Sequence, residues 1–398
     1  MSEWKKMKLE EICLSISDGD HQPPPKSNTG VAFITISDID SQNQINFDNV
    51  MHVPQEYYDS LDSKRKAQVG DILYSVVGSF GIPVIVKEPR QFVFQRHIAI
   101  LRPDKERVIP GFLYYAMLNR DFYQRADMVA IGSAQRTISL SSLRDMVLTI
   151  PDIAIQEVIA NRLSAYDDLI ENNNRQIKLL EEAAQRLYKE WFVDLHFPGY
   201  EDVEILDGVP EKWRIGTLGE ISIDAGKREK KENRDKYSYY LPIECLPKKS
   251  LSYQQMNDVN LAESSLVAFK PKDILFGAMR PYFHKVVVAR DNGLTRSTCF
   301  VINSKDDDMR VFLTLLLFDS ETIDYATQIS VGTTMPYVRW KDFINMPVLI
   351  PSIDICKEFN RIVEPMIYKA NRLADGIIKI EEARDRLLPK LMSGEIEV

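Results

Sequence analysis

The sequence predicts an α+β chain built as a pseudo-two-fold tandem repeat. It would hold two mixed α/β heads separated by two long helices that pair antiparallel as a coiled coil. Three observations predict this. Ile159, Leu163, Tyr166, Ile170, Asn173, Ile177, Leu180, Ala184, Leu187 and Trp191 step alternately by four and three residues. Phe359, Val363, Met366, Ala370, Leu373, Ile377, Ile380, Arg384, Leu387 and Leu391 repeat those steps 200 positions later. A mean spacing of about 3.5 residues is the pattern that winds helices around each other with a left-handed supercoil. Short motifs recur in the heads as well: Gly70-Asp71-Ile72-Leu73-Tyr74 matches Lys272-Asp273-Ile274-Leu275-Phe276, and Ile150-Pro151 matches Ile350-Pro351.

Each head begins at a tryptophan, in WKKMKLEEICLSI from Trp4 and WRIGTLGEISI from Trp213. Gly- and Pro-punctuated apolar runs predict strands at Val31–Ile36, Ile72–Val77, Val84–Val86 and Ile98–Leu101, followed by a helix at Pro110–Asn119. The second head matches them with strands at Asp273–Phe276, Lys285–Ala289 and Cys299–Ile302 and a helix at Met309–Phe318. The repeat offset drifts from 209 at the tryptophans to 202 at the Asp-Ile-Leu strand and 200 at Gly132/Gly332, as loops of unequal length in a common frame would produce. Asp152 and Ser352 are available to cap the long helices, the first of which spans about 42 residues or roughly 60 Å. Pro365 predicts a kink in the second helix or marks its true start.

A helix with such a stripe must bury it, and the partner closest to hand is the other helix of the same chain. Ile159, Leu163, Tyr166, Ile170, Asn173, Ile177, Leu180 and Leu187 are therefore expected to pair with Val363, Met366, Leu373, Ile377, Ile380 and Leu387. Asn173 and Arg384 interrupt the stripe: a polar core position can fix register, whereas exposure near a helix end is the preferred reading for Arg384.

Apolar content of 44% and charged content of 27% are those of an ordinary globular chain, and no apolar run approaches the length of a membrane span. With no apolar core after Met-Ser-Glu-Trp-Lys-Lys, a cytoplasmic location is expected. Cys13, Cys245, Cys299 and Cys356 stand far apart, which favours plain thiols over disulfides or zinc. The net charge of −8 does not exclude nucleic acid. Half of the excess lies in residues 151–195, with 5 basic and 9 acidic side chains, so the heads are near neutral and each could present a basic face.

Several segments, in order and duplicated, resemble the specificity subunit of type I restriction–modification systems. IPDIAIQEVIANRL (150–163) is similar to the family's helix start, GVPEKW (208–213) to its link before the second head, and LLPKLMSGEI (387–396) to its ending. DGDHQPPPK (18–26) resembles a loop of such heads. The resemblance covers essentially the whole chain. It implies target-recognition domains at 1–150 and 213–350, long helices at 151–195 and 351–398, and a linker at 196–212. It further implies that each domain reads one half of a bipartite asymmetric target in double-stranded DNA, that the helices act as spacer and docking site for two methyltransferase subunits, and that restriction subunits complete the complex. One turn of B-DNA is about 34–36 Å, so two heads on such a spacer could enter the same face of the major groove.

Candidate DNA contacts follow. In the first head His21, Gln22 and Lys26 form a Pro-rich loop; Gln22 could read adenine, although a stiff surface turn explains the prolines equally. Lys227, Arg228, Lys230 and Lys231 form the densest basic cluster of the second head, and a charge run is also what a solvated loop looks like. Ser79 follows the Asp-Ile-Leu strand of the first head, and Arg280, Tyr282 and His284 that of the second; Arg280 is a natural guanine reader or an ion-pair partner. Gln95 and Arg96 correspond to Thr295 and Arg296, where recurrence suits either contact or a structural salt bridge. Ser133, Gln135 and Arg136, with Thr333 and Thr334 opposite, are small polar loops whose amides and hydroxyls could grip phosphate.

There is no Asn/Asp-Pro-Pro-aromatic motif, no GxxxxGK[ST], no GxSxG and no HExxH. No catalytic residue, metal site or cofactor is expected in this chain. S-adenosylmethionine, ATP and magnesium would be used by partner subunits. Two rival readings are a self-contained DNA methyltransferase or nuclease with fused recognition domains, and a scaffold whose heads bind protein.

Overall fold

The computed structural model describes residues 4–19, 24–40, 42–133 and 135–398. By internal contacts the chain falls into two compact units, Met1–Asp168 with Glu381–Val398, and Leu169–Ile380. Each unit holds one head and a segment of both long helices.

In the first unit a four-stranded sheet joins Cys13–Asp18, Ile98–Pro103, Ile72–Ser75 and Pro83–Ile85, all antiparallel. Alternation along each strand divides the core. Ile72, Tyr74, Ala99 and Leu101 pack with the helix Pro110–Leu118 and with Ile159, Leu163, Leu388 and Leu391 of the long helices. Leu73, Ile98 and Ile100 pack instead with Ala32, Ile34, Phe92 and Phe94 of a second, three-stranded sheet.

The second unit repeats the plan. Ser222–Asp224, Cys299–Ser304, Ile274–Gly277 and Val286–Val288 form the sheet. Ile274, Phe276, Phe300 and Ile302 face the helix Arg310–Phe318 and the long helices, while Leu275, Cys299 and Val301 face a second sheet. That second sheet has four strands in the order Lys227–Glu229, Leu266–Phe269, Gly293–Arg296, Tyr239–Tyr240.

Both heads close in the same way. Lys5–Lys8 pairs antiparallel with Val147–Ile150, and Arg214–Thr217 with Pro347–Ile350, immediately before the long helices begin. Leu9 N–H donates to Met146 O and Leu218 N–H to Met346 O, each at 2.9 Å, so even the turn after the strand is duplicated.

The long helices run Ile153–Tyr188, continued by a wider turn to Val193, and Ile353–Ser393. The second neither starts nor stops at Pro365, because its first turn forms at Ile353, with Cys356 N–H bonded to Ser352 O at 3.2 Å. In the second unit Ile170, Ile177 and Leu180 pack against Ala370, Leu373, Ala374, Ile377 and Ile380, and the Trp191 ring lies tilted against Phe359 at 5.5 Å, so the partners run antiparallel.

The seam of helix against helix is shorter than the stripe. Leu187, Val363 and Met366 join the core of the second head, and Ile159, Leu163 and Leu387 that of the first. Tyr166 is half-buried and Asn173 buried. Burial in the second helix follows Phe359, Val363, Ile367, Ala370, Ala374 and Ile377, one residue off the even steps at two places, because a helix at 3.6 residues per turn drifts against a 3.5 repeat. Arg384 is not an exposed interruption: its side chain is 19% accessible and bonded to Asp167. Among the described residues no helix is long and apolar enough to cross a membrane.

Candidate nucleic-acid interface

A small hairpin sits at the same place in each head. In the first, Ile131 bridges Thr137 and Thr137 bridges Val77. In the second, Val331 bridges Tyr337 and Tyr337 bridges Met279. The third residue after the sheet strand is then fixed by one backbone bond, Gly78 N–H to Arg136 O at 2.9 Å and Arg280 N–H to Pro336 O at 2.7 Å. These hairpins carry Ser133 and Gln135 in one head and Thr333 and Thr334 in the other, all exposed. Gly132 and Gly332 share φ = 98°, so their glycines are required by the backbone.

The turn after that anchor differs between the heads. The first head places Gly78 (φ 74°) and Gly81 (φ 91°) in the left-handed region, with exposed Ser79 between them. The second places Arg280 (φ 50°) and His284 (φ 52°) at the corresponding turns, around a short 3₁₀ segment Pro281–Phe283. A side chain in that region costs roughly 1–2 kcal/mol that glycine does not. His284 is not available to DNA: it is 7% exposed, and its ring Nε2 lies 2.8 Å from Phe318 O. Burial lowers its pKa, partly opposed by that bond. Arg280 is half-buried, Tyr282 is exposed, and the Arg280 guanidinium Nη2 donates to Thr334 O at 3.3 Å.

Arg136 is also committed elsewhere. Its Nη2 lies 3.1 Å from the Asp127 carboxylate and donates to Ala130 O at 3.3 Å, with the guanidinium over the Phe80 ring. These bonds hold the hairpin and leave Gln135 as the outward polar side chain beside it. Gln135 Nε2 lies 3.5 Å from where a Cβ on Gly78 would stand.

In the basic cluster of the second head Lys227 and Arg228 lie on an edge strand, Lys230 follows it, and Lys231 opens a 3₁₀ segment. Lys227, Arg228 and Glu229 pair with Ala268, Val267 and Leu266, and Leu266 pairs in turn with Arg296. Residues directly opposite in antiparallel strands share a face, so Lys227 and Arg296 lie on one face and Arg228 on the other. Lys227, Arg228, Lys230 and Arg296 are exposed and have no ion pair among the described residues, whereas Lys231 pairs with Glu263. Glu229 stays ionised within the cluster: bonds from the Asn233 amide, Lys230 N–H and Tyr237 hydroxyl pull its pKa down to about 2.

In the first head Gln95 is tied by its N–H to Ile34 O at 3.0 Å, and Arg96 is exposed beside half-buried His97. Burial, and then the Arg96 charge, lower the His97 pKa. Lys26 is exposed; His21 and Gln22 lie outside the described residues. Exposed Ile131, Val331 and Met335, beside the polar hairpin residues, were not singled out from sequence, although the 200-residue spacing of Ile131 and Val331 marks them.

Sequence reasoning also passed over Glu181. It is buried on the first long helix and its Oε1 accepts from Ser250 Oγ, Leu251 N–H and Ser252 N–H at 3.1, 3.0 and 3.0 Å. Burial raises its pKa, only partly opposed by those bonds. This carboxylate fixes the 250–252 turn of the second head to the helix.

A family model described as type I restriction modification DNA specificity domain matches residues 1–182 and again 210–382. The MjaIX type I restriction enzyme specificity subunit of Methanocaldococcus jannaschii is 27% identical over 310 residues, covering 74% of this chain and 71% of that protein. The HindI specificity subunit of Haemophilus influenzae is 22% identical across the full length of both chains. In fold, the crystal structure of a type I restriction–modification S subunit from M. genitalium aligns with TM-score 0.60 at 17% identity, covering 98% of this chain and 96% of that one.

Proposed function

The chain belongs to the type I restriction–modification DNA specificity family and is a DNA sequence-specificity subunit; on that premise we propose that each head reads one half of a split, asymmetric target. The observation that carries this is the duplicated hairpin and anchor, 78/136 and 280/336, on which the two heads mount different side chains. A common frame sets where a head meets DNA, while unlike residues on it give unlike half-sites. Lys227, Arg228, Lys230 and Arg296 supply phosphate contacts that position the second head without reading bases, and Arg96 and Lys26 do so for the first. Ser79, Ser133 and Gln135 in one head, and Arg280, Tyr282, Thr333 and Thr334 in the other, lie at the hairpins where base edges would be met.

The chain itself carries no catalytic step in this reading, since the sequence holds none of the motifs for amino-group methylation or ATP hydrolysis. Adenine methylation with S-adenosylmethionine falls to two methyltransferase subunits docked on the long helices. ATP- and magnesium-dependent cleavage falls to restriction subunits in the cytoplasm.

Methylome sequencing of a host carrying this chain with its partner methyltransferase, against a strain lacking only this chain, tests the reading. One split, asymmetric adenine motif should disappear with the chain. Exchanging residues 213–350 for the corresponding head of a relative should change one half of the motif and leave the other. An unchanged methylome with an active partner would overturn the specificity role.

A further inference from the structure

Arg280 stands where the first head has Gly78, held by the same backbone bond to the same hairpin. Side chains rarely adopt φ = 50°, and the first head avoids the strain at both turns with glycine. The second head instead carries two side chains there and surrounds them with restraints. Phe283 N–H bonds to Arg280 O at 3.0 Å, His284 N–H to Pro281 O at 2.8 Å, and Lys249 N–H to His284 O at 2.8 Å. The His284 ring is bonded to Phe318 O, and Lys248 lies over the Phe283 ring.

A turn needed only to reverse the chain between its strands would be served by glycine, as the first head demonstrates. The arginine is also not spent on a carboxylate. Unlike Arg136, Arg310 and Arg384, it has no ion pair among the described residues, and its guanidinium bonds there only to exposed Thr334, through the 3.3 Å approach to the backbone oxygen. Proline at the next position removes a backbone N–H and fixes φ, which stiffens the mount further.

Resting on the half-site reading above, we propose that Arg280 is the base-reading side chain of the second head, donating through its planar fork to a guanine in the major groove, with His284 the residue that holds the turn. Guanine is the base whose N7 and O6 acceptors match that fork. The position is specificity-determining because the first head has no side chain there and offers Gln135 beside the same anchor instead.

The test uses the full chain with its partner methyltransferase, in wild type, R280G and R280K, read by methylome sequencing and by melting temperature. R280G installs what the first head already has, so it should melt no lower than wild type. It should relax one guanine position in one half-site about 10- to 100-fold, with the other half-site unchanged. R280K keeps the charge but not the fork and should relax the same position.

A motif unchanged in R280G overturns the proposal. A motif unchanged in R280K while R280G loses modification evenly across all sites overturns base reading in favour of phosphate anchoring. A marked drop in the melting temperature of R280G overturns it in favour of a structural arginine. A wild-type complex that directs no split motif would instead refute the half-site reading itself, so the two failures are distinct.

Discussion

Asp167 and Arg384 form an ion pair at 2.6 Å between the two long helices, and Tyr115 donates its hydroxyl to the second Asp167 oxygen, also at 2.6 Å. Burial opposes the Arg384 charge, but the bonds to and charges of Asp167 and Asp385 together outweigh it and leave the guanidinium pKa raised. The repeat-related positions in the second unit are Leu315, Ile367 and Ala184, which share one apolar core. The same structural location is therefore polar in one unit and apolar in the other. Arg384→Ala alone strands a mostly buried carboxylate and should cost about 2–4 kcal/mol. Replacing all three residues by their counterparts, Tyr115→Leu, Asp167→Ile and Arg384→Ala, should recover most of that loss. Denaturant unfolding of the single and triple variants measures both.

Glu181 predicts a pH dependence. Its folded pKa is raised, so the folded chain holds this proton more tightly than the unfolded chain does. Its contribution to stability is full below the ordinary carboxylate pKa of about 4.5 and is lost as pH rises through the raised value. Glu181→Gln keeps an oxygen for the three donors and should flatten this slope in melting temperature against pH. Glu181→Ala leaves Leu251 and Ser252 N–H groups without their acceptor and should cost about 1–3 kcal/mol, most at low pH.

The exposed basic edge of the second head predicts a salt signature. In the assembled complex, Lys227→Ala, Arg228→Ala and Lys230→Ala together should reduce the slope of log binding constant against log salt by about 0.9 for each phosphate left without its cation. Preference among DNA sequences should hardly change. Lys231→Ala, already paired with Glu263, should have a smaller effect than any of the three. A binding titration across salt concentrations decides this.

Phe359 is fully buried, edge-on to Phe192 at 4.8 Å and near Trp191 at 5.5 Å. Truncation to alanine removes a ring that joins the second head to both helix segments of its unit and should cost about 3–5 kcal/mol. Thermal unfolding of the variant, monitored by tryptophan fluorescence because Trp191 is adjacent, reports it.

The duplication was legible from motifs recurring about 200 residues apart. The helix stripes and central strands such as Ile72–Ser75, Ile98–Pro103, Ile274–Gly277 and Cys299–Ser304 were legible from apolar spacing within a short window, whereas the second head's outer strands Leu266–Phe269 and Gly293–Arg296 were not. What was not legible depends on partners brought from far along the chain. The burial of His284 requires Phe318, the commitment of Arg136 requires Asp127 and Phe80, and the ion pair of Arg384 requires Asp167, 217 residues away. Glu181 was missed because an acid in the pair Glu181-Glu182 beside an apolar stripe has the pattern of a solvated face until the 250–252 turn is seen to cover it. The first part of the basic run, Lys227–Glu229, is strand because its pairing to Leu266–Ala268 overrides the poor strand propensity of Lys and Glu.

Each head enters and leaves through one two-stranded ladder, Lys5–Lys8 beside Val147–Ile150 and Arg214–Thr217 beside Pro347–Ile350. Paired strands lie only about 5 Å apart, so the whole head hangs from a doorway one ladder wide. Its interior can change length, loops and reading side chains without pulling on the chain outside. On the half-site reading, a recombination that cuts within these two short strands would trade one half of the DNA address for another in a single event. The incoming head would need to keep only the surface that packs on the long helices and, in the second head, the donors to Glu181.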